Sequence, residues 1–303
     1  MSPDQDDDQV RAAAAGATDA AHRAGVEVVD LHGQDDLQAA SALFDAVWGR
    51  PGEAGAVLPA EALAAITHAG GQVTGAFRDG SLVGATAAFL GRHDDGRSFL
   101  HSHVTGVLDD ATTRGVGAAL KWHQRAWCLA RDLGEVRWTF DPLIRRNVAF
   151  NLVRLGAQVV AYRDDAYGRM PDARNAGQPT DRFVASWQLT SPRVAAAAAG
   201  RAASPDVEAL RRAGAEVALD ELADGSPHLT VTAAARRLVR LPQDVERLRV
   251  TDPDLALAWA AAVRSAVGDA VRGGARVTGA TRDGWLVLAA GPERVQDLTG
   301  GRG

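Results

Sequence analysis

The spacing of apolar residues changes from segment to segment along the chain, and each change predicts an element. Val26 to Leu31 is a short β-branched run and predicts a strand. After Asp35 and Asp36, the residues Leu37, Ala40, Leu43, Phe44, Val47 and Trp48 recur at helical steps. Arg50 to Ala56 is rich in glycine and proline and reads as a loop. Pro59 to Ile66 follows as a shorter helix with proline in its first turn. Gln72 to Arg78 and Leu82 to Leu90 flank Asp79-Gly80, a hairpin signature because Asp-Gly supplies the positive φ that tight turns require. Ser98 to Leu108 adds a further strand, so this part of the chain predicts an antiparallel meander.

From Arg114 the period lengthens. Val116, Leu120, Trp127, Ala130 and Leu133 mark a long helix that ends at Gly134. Val136 to Phe140 reads as a strand, Arg146 to Leu155 as a helix closed by Gly156, and Gln158 to Tyr162 and Phe183 to Leu189 as strands. A meander followed by β-α-β-α-β predicts an α/β fold over residues 26–190, with a mixed, mostly antiparallel central sheet flanked by helices. Residues 1–25 are expected to be a disordered tail and 191–226 a linker carrying a short helix. A smaller C-terminal α/β module is expected over 227–290, with a tail over 291–303. That module has a strand at Arg237 to Leu241, a helix from Asp252 to Val271, and a hairpin from Val277 to Leu288. VTGAFRDGSLV (Val73 to Val83) and VTGATRDGWLV (Val277 to Val287) agree at nine of eleven positions. With no matching repeat around either copy, convergent turn chemistry is the favoured account.

Composition narrows the function classes. The chain has 303 residues, 46% of them hydrophobic and 23% charged, which suits a globular enzyme with a proper core. A net charge of −5 with no dense Lys/Arg run argues against a nucleic-acid partner. The single cysteine, Cys128, excludes a disulfide framework and a cysteine zinc cage. The N-terminus lacks the basic start and apolar core of a secretory signal, and no apolar run is long enough to span a bilayer. A cytoplasmic protein without a membrane partner is expected, and a homodimer is left open.

The most specific local signal is Arg114-Gly115-Val116-Gly117-Ala118-Ala119-Leu120, after a strand and at the start of a helix. Its glycines let the backbone approach a bulky anion, while free N–H groups and the positive end of the helix dipole face it. The same residues also suit an ordinary tight strand-to-helix turn. A dinucleotide fold needs a parallel βαβ unit, whereas antiparallel strands precede this loop, so the order favours coenzyme A over NAD.

SHVTGVLDDATTRGVGAALKWHQRAW (Ser102 to Trp127) resembles motif A of the GNAT (Gcn5-related N-acetyltransferase) superfamily, and RRNVAFNLVRLGA (Arg145 to Ala157) resembles its motif B. The resemblance covers roughly 26–189. Within the superfamily, WTFDPLIRRNVAFNLVRLGA and DRFVASW look most like a bacterial subgroup that accompanies N-succinylamino-acid racemase and o-succinylbenzoate synthase. The resemblance implies an N-acyltransferase that moves an acetyl or succinyl-type group from acyl-CoA to a small-molecule primary amine, such as an amino acid. No metal takes part. A non-catalytic acyl-CoA-binding or sensing protein is the alternative. Two departures stand out: Thr112 occupies motif A's Gln/Arg position, and Leu152 replaces the motif B tyrosine that protonates the departing thiolate.

By resemblance, acyl-CoA is held by Val107, Arg114, Gly115, Val116, Gly117, Ala118, Ala119 and Asn147. Direct attack of an amine on a thioester needs a base, oxyanion donors and alignment. His101 and His103 share one face of their strand by alternation, and His103, nearer the bend expected before Val107, is the favoured base. Both also suit a packed or solvated strand face, and the His-x-His pair has no further ligands to make a metal site. Asp141 ends the next strand, where it either anchors the acceptor amine or serves as an Asp-Pro turn residue. Asn147 either reaches the cofactor or caps a helix. Arg145 and Arg146 match a substrate carboxylate in shape, although exposed helix-start arginines are the commoner case. Tyr162 and Tyr167 are the tyrosines available to replace the missing acid. The charged loop between Tyr162 and Asp181 is expected to cover the acceptor side.

Overall fold

A computed structural model describes residues 3–48, 56–109, 115–168 and 178–291, with side chains from residue 7. The chain begins with α1 (Pro3–Ala24), where a tail was expected. Alanine is the best helix former. Ala13, Ala17, Ala20 and Ala24 recur at three- and four-residue steps as a narrow buried stripe that packs closely on α4 (Val116–Leu129). Arg78 donates to the carbonyls of Ala24 (3.0 Å) and Gly25 (3.4 Å), satisfying two acceptors at the negative end of α1.

Seven strands form the first sheet, in the order β1-β2-β3-β4-β5-β7-β6. They are β1 (Glu27–Asp30), β2 (Gln72–Arg78), β3 (Ser81–Arg92), β4 (Ser98–Val107), β5 (Glu135–Phe140), β6 (Gln158–Arg163) and β7 (Arg182–Gln188). Every pairing is antiparallel except β4 with β5, in agreement with the expected meander and mostly antiparallel sheet. One face is covered by α2 (Gln34–Trp48) and α3 (Ala60–His68), whose Leu37, Phe44 and Leu63 pack with Leu31, Val73, Ala85 and Ala87. The other is covered by α4, whose Val116 and Leu120 meet Ala76 and Val83. The short helix α5 (Arg145–Val148) widens into a π-helix over Ala149–Arg154.

The expected linker is folded. It holds α6 (Pro192–Ala198), α7 (Val207–Arg212) and β8 (Glu216–Glu221), capped at their starts by Ser191 and Asp206. β8 pairs in parallel with β10 (Arg236–Arg240), so the second sheet starts before residue 227. Its order is β11-β12-β10-β8-β9, with β9 (Pro227–Leu229), β11 (Arg276–Ala280) and β12 (Trp285–Ala289). The helices α8 (Val245–Thr251), α9 (Pro253–Val263) and α10 (Asp269–Arg272) complete it, the last two joined by π-helical Arg264–Gly268. One face of the second sheet carries a small cluster of its own, Leu238, Trp285 and Val287 under α7, while the other face shares the core of the first sheet. One apolar cluster runs from Trp138 and Trp187 through Tyr162 to Leu219, Trp259, Val263 and Leu288.

The two near-identical sequence stretches form different hairpins. Asp79 and Gly80 have φ of 50° and 76° and make a two-residue turn between Arg78 and Ser81. In the second copy Ala280 pairs with Leu286, and the chain turns through 281–285. Gly75 faces Ala85, whereas its counterpart Gly279 faces Val287, the counterpart of Val83, so the registers differ by two residues. This favours convergent turn chemistry over duplication. Among the described residues no helix is long and apolar enough to cross a membrane, and no cluster of three or more His, Cys, Asp or Glu is placed to hold a metal.

Candidate functional site

The site is organised by β4. It pairs with β5 only at Leu100–Val136 and His101–Arg137, beyond which the two parallel strands separate. On its other side β4 follows β3, but Ala87 pairs with Val104 and Ala88 with Ser102, so His103 is an extra residue without a partner. A bulge of this kind bends a strand and re-aims its side chains. His101 and His103 lie on one face, with Phe89 ring centroids at 4.9 and 5.7 Å. Partial desolvation lowers the pKa of both, of half-buried His101 and of His103, which stays exposed. For His101, the neighbouring charges of His103 and Lys121 lower it further.

β4 ends at Val107, next to the start of α4. Gly115 caps that helix with φ of 82°, a left-handed conformation that a side chain strains. At Gly117 an added Cβ meets only Val107 Cγ2, at 3.9 Å, so the surroundings there are open. The N–H groups of Ala118 and Ala119 are bonded to the Gly115 carbonyl, which leaves those of the first turn to face a ligand. Arg154 adds a charge absent from the sequence reading: its Nη2 lies 3.5 Å from where a Gly115 Cβ would stand. Arg114 and Thr112 lie outside the described residues. Asn147 is half-buried in the first turn of α5.

The acceptor-side expectations are corrected. Asp141 is buried and ion-paired with Arg249 of α8 at 2.6 Å, while its other oxygen accepts from the Leu143 N–H. Arg145 donates to the Leu241 carbonyl and approaches Glu221, and Arg146 pairs with Glu246. Arg145 is thereby held by the C-terminal elements and is not free for a substrate carboxylate, while Arg146 makes only an exposed surface pair with Glu246. In the 163–181 loop, Asp164 pairs with Arg272, Asp165 holds Thr180, and Asp181 binds Arg264 and Tyr162. Arg169 and Arg174 lie outside the described residues. Burial beside Asp181 raises the pKa of Tyr162, whose hydroxyl is held by Asp181, whereas Tyr167 is exposed and bonds Thr139 on β5, past the last β4–β5 pair.

The residue most clearly missed by motif reading is Lys121, the only lysine among 33 Lys and Arg residues. It projects from α4 and is 6% exposed. Its Nζ donates to Ser102 Oγ at 2.7 Å and Gln124 Oε1 at 3.1 Å, and it lies 4.4 Å from the centre of a Trp138 ring. Burial pushes its pKa down to about 7. Its solitude in an arginine-rich chain, between the apolar Leu120 and Trp122, was the available signal.

No family model matches the sequence, and no curated protein does. Among solved structures the chain is similar to Naa50 of Arabidopsis thaliana in complex with the bisubstrate analogue CoA-Ac-MVNAL. Identity there is 18% over 54% of this chain and 97% of that one, with a TM-score of 0.42. It is also similar to a GNAT-family acetyltransferase of Streptococcus pneumoniae, at 11% identity over 53% of this chain and 98% of that one, TM-score 0.43. A GNAT-family acetyltransferase of Elizabethkingia anophelis with acetyl-CoA bound gives 10%, 54%, 98% and 0.40 for the same measures.

Proposed function

We propose that this protein is an N-acyltransferase that moves an acetyl or succinyl-type acyl group from acyl-CoA to a small-molecule primary amine by direct attack in a ternary complex. The observation that carries the reading is the course of β4, which parts from β5 after His101, bulges at His103 and runs to Val107 beside the glycine-capped start of α4. One strand thus links a cradle for phosphate to a split in the sheet, with His101 and His103 on one face of that strand beside Phe89. The phosphates of acyl-CoA would meet the first turn of α4 and Arg154. The pantetheine arm would take up the edge of β4 that β5 leaves unpaired. His103, its pKa lowered, is neutral at pH 7 and able to take a proton from the attacking amine.

A small acceptor is supported by α8, whose Arg249 packs over the end of β5 at Asp141, where a protein chain would need an open groove. An amino acid as acceptor rests on the sequence resemblance. The test is an assay of free thiol and product mass with acetyl-CoA and succinyl-CoA. The acceptors are amino acids of both configurations, a polyamine, an aminoglycoside and a lysine-bearing peptide. Acylation of small amines is expected. Product from the peptide alone rejects the small-molecule acceptor, and CoA binding without thiol release from any amine replaces the enzyme with a sensing protein.

A further inference from the structure

The buried amine of Lys121 has no role yet. A lysine inside a protein is retained against the cost of desolvating its charge. All 32 other Lys or Arg positions of this chain hold arginine. Arginine stays protonated under all ordinary conditions, whereas lysine can lose its proton when buried. No carboxylate is ion-paired with Lys121 among the described residues; the groups around it are a hydroxyl, an amide and an indole face.

The amide is held in one orientation. Gln124 donates its NH₂ to Gln72 Oε1 at 3.3 Å, and Gln72 donates to Asp30 Oδ1 at 3.3 Å. The same Asp30 oxygen accepts from Thr74 at 2.9 Å and contacts His123 Nε2 at 3.0 Å. Gln124 therefore turns its carbonyl toward Lys121. Ser102 Oγ accepts a second hydrogen from Lys121 and has no acceptor for its own among the described residues. Ser102 is the first residue past the last β4–β5 pair, at the apex of the split. It faces α4, opposite His101 and His103, and lies five strand residues from Val107, about 17 Å along an extended strand. That length is of the kind an extended pantetheine arm covers between its phosphates and its sulfur.

Resting on the acyltransferase reading, we infer that Ser102, polarised by Lys121, is the proton donor to the thiol that leaves in acyl transfer. As the amine nitrogen bonds the carbonyl carbon, the C–S bond breaks with its electron pair on sulfur. Ser102 Oγ gives its hydrogen to that sulfur and receives one from the Lys121 ammonium. The surplus proton of the amine leaves through His103 on the opposite face, and Lys121 is reprotonated from solvent after the thiol departs. Thiols titrate near 8.5, so a donor that titrates near neutrality matches the task. Ser102 is the catalytic residue and Lys121 its positioning residue. The titratable groups acting on Lys121 are Cys128 of α4 and His101 of β4. Asp30 and His123 stand at the far end of the amide chain, and α1 faces α4 with alanines.

The experiment compares wild type with Lys121→Met, Lys121→Arg and Ser102→Ala, after thermal melting has shown that each folds. With acetyl-CoA, kcat is expected to fall about 10²-fold or more in all three at unchanged KM for acyl-CoA, and the alkaline limb of the kcat profile should vanish in Lys121→Met. An acetyl thioester of an aromatic thiol, whose sulfur leaves without a proton, should return the variants to within a few-fold of wild type. In lysine-labelled protein the one side-chain signal should shift when CoA is added. Wild-type kcat with an intact alkaline limb in Lys121→Met, an equal deficit with both leaving groups, or a lysine signal indifferent to CoA overturns the inference while leaving a working acyltransferase. A wild type without turnover on any amine overturns both.

Discussion

Asp141 at the end of β5 and Arg249 on α8 form an ion pair at 2.6 Å with side chains only 8% and 5% exposed, tying the candidate site to the C-terminal elements. Removing one partner of a buried pair leaves the other's charge uncompensated. Asp141→Ala is therefore expected to cost about 3–5 kcal/mol of stability in urea unfolding, while Asp141→Ala with Arg249→Met recovers most of the loss. A catalytic Asp141 would give the opposite result, with stability kept and kcat lost.

Gly117→Trp is expected to abolish acyl-CoA binding at nearly unchanged melting temperature, because the space beside Gly117 is open and lies where the phosphates would sit. Gly115 is a poorer probe, since its φ of 82° makes any side chain strained by about 1–3 kcal/mol. Arg154→Ala should weaken CoA binding roughly tenfold to a hundredfold, the worth of a charge-assisted hydrogen bond. Calorimetry checks both, and unchanged affinity in Gly117→Trp would remove the cradle from α4.

His103→Ala should lower kcat about 10²- to 10⁴-fold with little change in acyl-CoA affinity. Because partial desolvation lowers the His103 pKa, the base is lost only as pH falls below the ordinary histidine range, and the wild-type acid limb should lie there. The deficit of the variant should shrink at high pH, where the amine sheds its proton unaided. A neutral-pH rate equal to wild type would transfer the role to His101.

Stability should rise with pH between about 7 and 9. Lys121 titrates near 7 in the fold against 10.5 for a free lysine, so the unfolded chain binds the extra proton across that window and raising the pH favours the fold. The slope for one proton is about 1.4 kcal/mol per pH unit. Above about 9 the rise levels off, because Cys128, pushed up to about 12 by burial, keeps a proton that the unfolded thiol loses and so offsets the lysine, and stability falls only once the unfolded lysine has lost its proton too, above about 10.5. Urea unfolding at several pH values measures this. Lys121→Met should flatten the rise, and an equal slope in the variant would place the amine in water.

Periodicity and turn chemistry carried most of the first sheet. Asp79-Gly80 turns as its sequence demands, and Gly115 caps α4 within a residue of the helix start drawn from the Gly-x-Gly pattern. The α1 helix escaped because an alanine stripe has little hydrophobic contrast, and only the facing α4 makes it a buried surface. β8 escaped because its parallel partner, β10, comes about twenty residues later in the chain and pairing of that kind leaves no local mark. At the site, residue types were legible and commitments were not. Arg145, Arg146 and Asp141 have the right chemistry for a substrate, yet their charges are met by Glu221, Glu246 and Arg249 from a region read as linker and separate module.

The lone lysine also makes the molecule its own unfolding gauge. A protease that cuts only after lysine has a single bond to cleave, Lys121–Trp122, and it lies mid-helix in α4 with both side chains buried. Fraying at the ends cannot expose it. The rate of that one cut, followed with time and ligand concentration, therefore reports the opening of the core itself, and any compound that holds β4 and α4 together will be seen as a slower cut.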